Sequence, residues 1–130
     1  NFVLKAIKIN GICLAYASDK LKSDKDLMLI AALNNSGYLL KNRDLCSDKN
    51  FIFELCQRNG AAFFDADKKI RADKEFVVKL IKTAQTDEIL TIIAAISKSI
   101  KNDKDFMFQV CKVVPLVYSI VVLLILHNYL

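Results

Sequence analysis

The stretch Asp48-Lys-Asn-Phe-Ile-Phe53, followed by Asn59-Gly60, decides the fold because its pattern recurs along the chain. An Asp-Lys pair, a polar residue and three apolar residues occur four times, starting at Asp24, Asp48, Asp73 and Asp103. The intervals are 24, 25 and 30 residues. A fifth copy without its Asp-Lys opens the chain, since Asn1-Phe-Val-Leu4 aligns with Asn50-Phe-Ile-Phe53. This opening predicts that the sequence is a fragment of a longer protein.

Each unit has the pattern of a helical hairpin. The aspartate is typical of an N-cap, where its carboxylate accepts amide protons that lack a partner in the first turn. Apolar residues follow at the spacing of one buried helical face, as in Phe51, Ile52, Phe53, Leu55 and Cys56. Asn10-Gly11, Ser36-Gly37 and Asn59-Gly60 predict the end of that helix, with glycine in the left-handed conformation.

A second, shorter helix is predicted in the first three units, over Ile12 to Leu21, Tyr38 to Leu45 and Ala61 to Ile70. The fourth unit departs from this pattern, because Thr86-Asp87-Glu88 indicates a new N-terminus of a longer helix that runs towards Ile100. The fifth unit has Pro115 in the position of Gly60 and continues into an uncharged apolar segment.

Composition agrees with helices. Three Gly and one Pro in 130 residues are too few for an all-β protein, and 54% apolar residues exclude a disordered chain. A hairpin of 24 residues cannot bury its apolar face alone, so neighbouring hairpins must stack. The predicted fold is all-α: one domain, residues 1–130, built as an α-solenoid-like array of about five hairpins with a C-terminal apolar helix. The predicted units are 1–23, 24–47, 48–72, 73–102 and 103–130.

The recurring Asp-Lys-x-Phe-Val-x, Asn-Gly and Leu14-Ala15-Tyr16-Ala17-Ser18 resemble the family called domain of unknown function 4116. The resemblance covers residues 1 to about 85. It implies helical repeats, no established activity, and occurrence in protists and in intracellular bacteria, including Legionella-like effectors. The implied location is the cytoplasm, or a host cell into which the protein is delivered. The family supplies no catalytic residues to carry over.

Two sets of residues are candidate contacts for a partner. Lys5, Lys8, Lys79 and Lys82 occupy positions on the predicted outer face of the first helix of their units, where stacking would align them into a basic stripe. Unit two carries Ile30 and Leu33 at the same positions. They are either covered by a neighbouring element or offered to a partner as an apolar patch.

The sequence predicts no catalytic residue, cofactor site or metal site. Asp24-x-Asp26, Asp65-x-Asp67 and Asp103-x-Asp105 are paired carboxylates, but we interpret them as caps or as solvated acids. Cys56 and Cys111 align with Ile7, Ala32 and Ile81, and Cys13 aligns with Ala62, so these three thiols are predicted to be buried. Cys46 aligns with Lys22 and Arg71 and is predicted to be the most exposed thiol.

The function predicted from these features is a non-enzymatic scaffold for protein–protein interaction, as a module of an effector-like protein. One alternative is a membrane-associated protein anchored by residues 113–130, which carry no charge apart from His127 and are about 27 Å long as a helix. The same segment is also consistent with a buried last helix or with homo-oligomer formation. A weaker alternative is an anionic partner bound by the lysine stripe, with nucleic acid disfavoured because aromatic residues are not interleaved.

Overall fold

The computed structural model describes residues 2–115, 119, 122–123 and 127. Residues 2–113 hold thirteen helical segments, and no strand occurs in the described part of the chain. Eleven are α-helices: α1 (Phe2–Ile9), α2 (Asp19–Lys22), α3 (Lys25–Asn34), α4 (Ser36–Lys41), α5 (Arg43–Cys46), α6 (Lys49–Arg58), α7 (Lys68–Arg71), α8 (Lys74–Thr83), α9 (Thr86–Ala95), α10 (Lys98–Lys101) and α11 (Lys104–Val113). The first 3₁₀ helix is Gly11–Tyr16 and the second is Gly60–Asp65. The prediction of an all-α fold is confirmed for these residues.

We call the first helix of each unit a long helix: α1, α3, α6, α8 and α11. Aspartate caps start four of these five helices, as predicted. The Asp48 carboxylate accepts the Phe51 amide at 3.0 Å. The same contact is 3.0 Å from Asp73 to Phe76 and 3.1 Å from Asp103 to Phe106. Asp24 accepts the amides of Asp26 and Leu27 at 3.0 and 3.1 Å. Each carboxylate thus satisfies amides that have no partner inside the helix.

The long helices lie in one row and contact one another in chain order: α1 with α3, α3 with α6, α6 with α8, and α8 with α11. The first 3₁₀ helix, α4, the second 3₁₀ helix and α9 form a second row with the same order of contacts. Both rows supply the core, in which Leu55 and Leu80 of the first row and Phe63 and Ile92 of the second are completely buried. That these rows amount to a regular α-solenoid of five hairpins stays a prediction, and so do the predicted domain and unit boundaries.

The predicted second helix is divided in two in each of the first three units. In units one and three it consists of a 3₁₀ helix and a four-residue α-helix, and in unit two it consists of α4 and α5. The chain leaves helical geometry at Ala17 and Ala66, whose ψ angles are 172° and 151°. At Asp67 the side chain accepts the Lys69 amide at 3.2 Å, so a local cap competes with continuation of the helix.

The longer helix predicted towards Ile100 is also wrong, because α9 ends at Ala95 and α10 starts at Lys98. Buried Ser97 lies between them, and its amide donates to the carbonyl of Arg71 in the preceding unit at 3.0 Å. A hydrogen bond to the neighbouring unit therefore replaces the helical one. Thr86 is the first residue of α9, and Gln85 occupies the cap position.

The Asn-Gly turns end the helices by a different mechanism from the one predicted. No described residue, glycine included, has a positive φ angle. Instead Asn10, Asn35 and Asn59 are extended, and each side chain accepts the amide two residues later. Glycine follows Asn10 and Asn59 because the neighbouring unit leaves no space for a side chain. A methyl group at Gly11 would collide with the carbonyl of Ala31, and one at Gly60 would lie 2.6 Å from Glu88 Oε2.

Ion pairs join the caps of successive long helices. Lys49 Nζ lies 2.5 Å from Asp73 Oδ2, and Lys74 Nζ lies 2.5 Å from Asp103 Oδ2. The hydrogen bond from Lys49 and that from the Phe76 amide lower the pKa of Asp73 below its ordinary value. Both bonds favour the ionised carboxylate, so Asp73 stabilises the fold when it is charged.

We expect Gly11→Ala to destabilise the chain by about 1–3 kcal/mol, because its methyl group meets backbone rather than a flexible side chain. The matched control is Gly37→Ala. A methyl group at Gly37 would lie 2.9 Å from Asn35 Oδ1 and 3.3 Å from Ile12 Cδ1, and both are side-chain atoms that can shift, unlike the backbone at Gly11. The control should therefore lower the free energy of unfolding in urea by less than Gly11→Ala does, by about 1 kcal/mol or less. If both substitutions lowered the free energy of unfolding equally, the contact of Gly11 with the Ala31 backbone would not be the reason that glycine is needed there.

Asp73→Asn keeps an oxygen that can accept the Phe76 amide but removes the charge facing Lys49. We expect a loss of less than about 1 kcal/mol at neutral pH. Because the pKa of Asp73 is lowered in the folded state, its contribution is complete above the unfolded pKa of about 4 and disappears as the pH falls through the folded value. Urea unfolding should therefore show a gap between the two proteins that closes in acid. A gap that persists unchanged in acid would refute this assignment.

Candidate interaction surface

Ile30 and Leu33 are less exposed than Lys5, Lys8, Lys79 and Lys82, which were predicted to occupy equivalent positions. Both side chains are half-buried and pack against the hydrophobic core. Of the two interpretations left open by the sequence, partial cover by neighbouring elements describes them better than a free apolar patch. Whether their exposed parts contact a partner stays a prediction.

The four predicted lysines are exposed, but they lie in two separate places. Lys5 and Lys8 belong to α1, Lys79 and Lys82 belong to α8, and α3 and α6 come between them in the order of contacts. Lys79 and Lys82 line an open groove of about 460 Å³ next to Val78 and Gln109. Lys79 Nζ also lies 4.8 Å from the centroid of the Phe53 ring, so this cation packs against an aromatic face.

The intervening helix α6 carries Glu54 and Gln57 at the equivalent positions, and these interrupt the stripe. Glu54 forms an ion pair with Lys25 at 2.7 Å, and this contact raises the pKa of Lys25. Gln57 donates to the Thr83 hydroxyl at 2.9 Å. The outer face of the long helices is therefore mixed in charge, and the structure does not bring the predicted lysines together.

The four short helices α2, α5, α7 and α10 form a surface that the sequence analysis missed, which we call the short-helix edge. They carry eight Lys or Arg residues and two Asp residues, a net charge of +6, against +5 for the whole chain. Six of these cations are exposed: Lys20, Lys22, Arg43, Lys68, Lys69 and Lys98. The remaining segments carry −1 together, so the positive excess of the protein lies entirely on this edge.

Backbone hydrogen bonds hold the short helices next to one another. The Asp67 amide donates to the Cys46 carbonyl at 2.9 Å, and the Ser97 amide donates to the Arg71 carbonyl at 3.0 Å. These bonds join α5 to α7 and α7 to α10. Lys22 of α2 and Arg43 of α5 line the same groove, which lies between these two helices. The edge thus runs in the order α2, α5, α7, α10.

Two half-buried cations of the edge cap the C-terminus of α9. Arg71 donates to the carbonyls of Ala66 and Ala95 at 3.2 and 3.3 Å, and Lys101 donates to that of Ala94 at 2.9 Å. Cations at a helix C-terminus are favourable. Burial lowers the pKa of Lys101, and the nearby charges of Lys98 and Arg71 lower it further. The edge is thus a region of crowded positive charge.

The largest groove described along this edge lies between α2 and the α4–α5 segment, with a volume of about 710 Å³. Its lining includes Leu14, Tyr38, Leu40, Lys41 and Arg43. A sum of charges over the second half of each unit does not indicate the edge, because Asp65, Asp67, Asp87 and Glu88 offset the lysines. The positive excess appears only when the bounds of the four short helices are known. The groove depends on the break between α4 and α5, which the sequence analysis treated as one helix.

The cysteines are only partly as predicted. Cys56 and Cys111 are buried, which confirms that prediction, and burial, followed by the charges of Asp65 and Glu88, raises the pKa of Cys56 to about 12. Cys13 is exposed, so its predicted burial is wrong. The equivalent Ala62 borders Ala32 and Leu33 of the preceding unit, whereas no unit precedes Cys13 among the described residues. Cys46 is half-buried, and its thiol donates to the Leu39 carbonyl at 3.6 Å.

The paired carboxylates serve as caps where the sequence placed them. Asp24 and Asp103 cap α3 and α11, and Asp67 caps α7 and also accepts the Ser47 hydroxyl at 3.0 Å. The described residues contain no group of three His, Cys, Asp or Glu side chains arranged to hold a metal ion.

The membrane question concerns the C-terminal segment. Among the described residues, no helix combines the length and the apolar character needed to cross a bilayer. Most of the predicted apolar helix over 113–130 lies outside the described residues, so the anchor, core and oligomer interpretations of that segment stay predictions.

Comparison with known proteins gives one match. A family described as "Domain of unknown function (DUF4116)" matches residues 1–44 and 48–86. The first match runs from α1 to the start of α5, and the second runs from the cap of α6 to the start of α9. Neither the curated proteins nor the solved structures contain a match to the chain.

Thiol labelling of the native protein tests the placement of the cysteines. We expect Cys13 to react first, Cys46 more slowly, and Cys56 and Cys111 only after unfolding. The reason is that exposure decreases in this order and that burial raises the pKa of Cys46, Cys56 and Cys111. Peptide mapping after a short pulse of a maleimide identifies the labelled site. Faster labelling of Cys46 than of Cys13 would contradict this placement and would support the prediction from the sequence that Cys46 is the most exposed thiol.

Proposed function

The chain belongs to the domain of unknown function 4116 family, and we propose that it is a non-enzymatic helical-repeat scaffold that binds a protein partner along its short-helix edge. The observation that carries the proposal is the confinement of the net positive charge to the four short helices. The row of long helices has an outer face of mixed charge, with ion pairs between units at Lys25, Lys49 and Lys74.

The shape of the edge supports an extended partner. Each of the first four units adds one short helix, and backbone hydrogen bonds at Cys46 and Arg71 join α5 to α7 and α7 to α10. Contacts that are individually weak then add along the row when one partner touches several units. Exposed lysines and an arginine at regular intervals favour an acidic surface and increase the rate of encounter with it.

The surroundings of Cys56 and of the capping aspartates support a structural role for these residues. The Cys56 thiol, with a pKa of about 12, is protonated at neutral pH and is a poor nucleophile. The capping aspartates accept hydrogen bonds from backbone amides. The hydrogen bond from Lys49 lowers the pKa of Asp73, and the hydrogen bond from Lys74 lowers the pKa of Asp103. These carboxylates are committed to the helix ends of the scaffold.

Charge reversal on two surfaces tests the proposal. The edge variant carries Lys20→Glu, Lys68→Glu and Lys69→Glu, and the matched face variant carries Lys5→Glu, Lys8→Glu and Lys82→Glu. All six lysines are exposed, and both variants change the net charge equally. With each protein immobilised, we expect the intact chain and the face variant to retain partners from a cell lysate. The edge variant should lose them by about tenfold or more, and added salt should mimic that loss.

Circular dichroism of both variants should match that of the intact chain, since no substituted residue is buried. Retention by the edge variant equal to that of the intact chain would refute the proposal, and so would an intact chain that retains nothing. Loss in the face variant alone would assign the contact to the long helices, as the sequence analysis predicted for Lys5, Lys8, Lys79 and Lys82.

A further inference from the structure

The groove between α2 and the α4–α5 segment combines an apolar floor with a cationic rim. Leu14 is completely buried and Tyr38 is 3% exposed, and both face the groove from below. Ala15, Met28 and Leu45 are half-buried in its walls. A large apolar side chain that enters this groove would therefore be removed from water on most sides.

The rim carries three exposed cations, Lys22, Lys41 and Arg43, against one exposed acid, Asp44. Lys41 Nζ lies 5.8 Å from the centroid of the Tyr16 ring, a cation–π contact that orients this charge at the mouth of the groove. Arg43 offers a planar fork of donors, which suits a carboxylate. The rim is thus suited to an anionic group that arrives next to an apolar one.

Two large apolar side chains are exposed at this site: Leu40 lines the groove, and Tyr16 lies beyond it. Tyr16 is 80% exposed and Leu40 is 65% exposed, although both belong to segments that pack into the core elsewhere. A groove of about 710 Å³ falls in the range of ligand sites, but Tyr16 and the further lysines of the edge lie outside it. Because the exposed apolar and cationic side chains extend beyond the groove, they favour an extended polypeptide segment over a compact small molecule.

We propose that this groove, at the boundary between units one and two, binds an acidic polypeptide segment that inserts one large apolar side chain. The carboxylates of the segment meet Lys22, Lys41 and Arg43, and the apolar side chain packs over Leu14, Tyr38 and Leu40. This proposal rests on the proposed function and specifies the chemistry of the partner. A nucleic acid would satisfy the rim but not the apolar floor, and a flat lipid surface would not reach that floor.

The groove between α8 and α11 is the competing site, and its cations are less available. Lys74 is paired with Asp103, and Glu75 contributes a negative charge to the lining, which leaves Lys79 and Lys82. The α2–α5 groove has a larger volume and three exposed rim cations for which the structure gives no ion pair with a described residue. Charge complementarity therefore selects the α2–α5 groove.

A fluorescein-labelled peptide of glutamates around one phenylalanine and two leucines is the probe. Fluorescence anisotropy with the full chain should show saturable binding. The double variant Lys41→Gln, Arg43→Gln should weaken it by about tenfold, the size expected when two close charge contacts are lost. Leu40→Ser should weaken it several-fold, whereas Leu90→Ser, at a position 41% exposed on α9, should not. Replacing the three apolar residues of the peptide by serine should also weaken binding.

Several results would overturn the proposal: no saturable binding to the intact chain, equal binding by the double variant, or equal loss with Leu90→Ser. Tighter binding of phosphatidylserine vesicles or of a single-stranded oligonucleotide, with the same dependence on Lys41 and Arg43, would also overturn it and assign the site to phosphates. The lysate experiment separates the two proposals. If the edge variant loses its partners while the double variant binds the peptide as tightly as the intact chain, the scaffold function is supported and the groove site is refuted.

Discussion

The close packing of each unit against the next is the constraint on which the rest of the structure depends. Long helices of eight to ten residues are too short to be stable alone, and each must bury its apolar face on a neighbour. Two points of close approach in this packing are Gly11 against the backbone of Ala31 and Gly60 against Glu88. At Gly60 the fit is reinforced by a hydrogen bond, since its amide donates to the Glu88 carboxylate at 3.0 Å.

The same packing creates the surfaces. In two places a lysine that follows one cap meets the cap of the next long helix: Lys49 meets Asp73, and Lys74 meets Asp103. Amide–carbonyl bonds join α5 to α7 and α7 to α10, and these short helices expose lysines and an arginine. The long-helix face thus pairs its charges between units, while the short-helix edge has an excess of positive charge. This asymmetry is the physical basis for assigning the partner to the edge.

Local features of the fold could be predicted from the sequence because their causes are local. The aspartate caps, the buried apolar positions and the buried Cys56 all follow from the identity and spacing of neighbouring residues. The conformation of the Asn-Gly turns could not be predicted this way. Glycine is needed at Gly11 because of the carbonyl of Ala31, twenty residues later in the chain, and no local pattern shows that contact.

The same limit applies to the candidate surfaces. Burial of Cys13 and an outer position of Ile30, either covered or offered to a partner, were inferred from equivalent positions. Equivalent positions have different neighbours in different units, however. The basic edge was visible in composition once the short helices were known, yet their separation depends on contacts such as the Ser97 amide with Arg71.

Residue-specific hydrogen exchange of the intact chain tests most directly whether each unit depends on its neighbours. Helix α6 contacts a long helix on both sides, whereas α1 contacts one, α3, among the described residues. Nearest-neighbour stabilisation predicts that the amides of Leu55 and Cys56 exchange much more slowly than those of α1, with α3 between them. Equal protection of α1 and α6 would contradict it, because each helix would then be stable without a second neighbour.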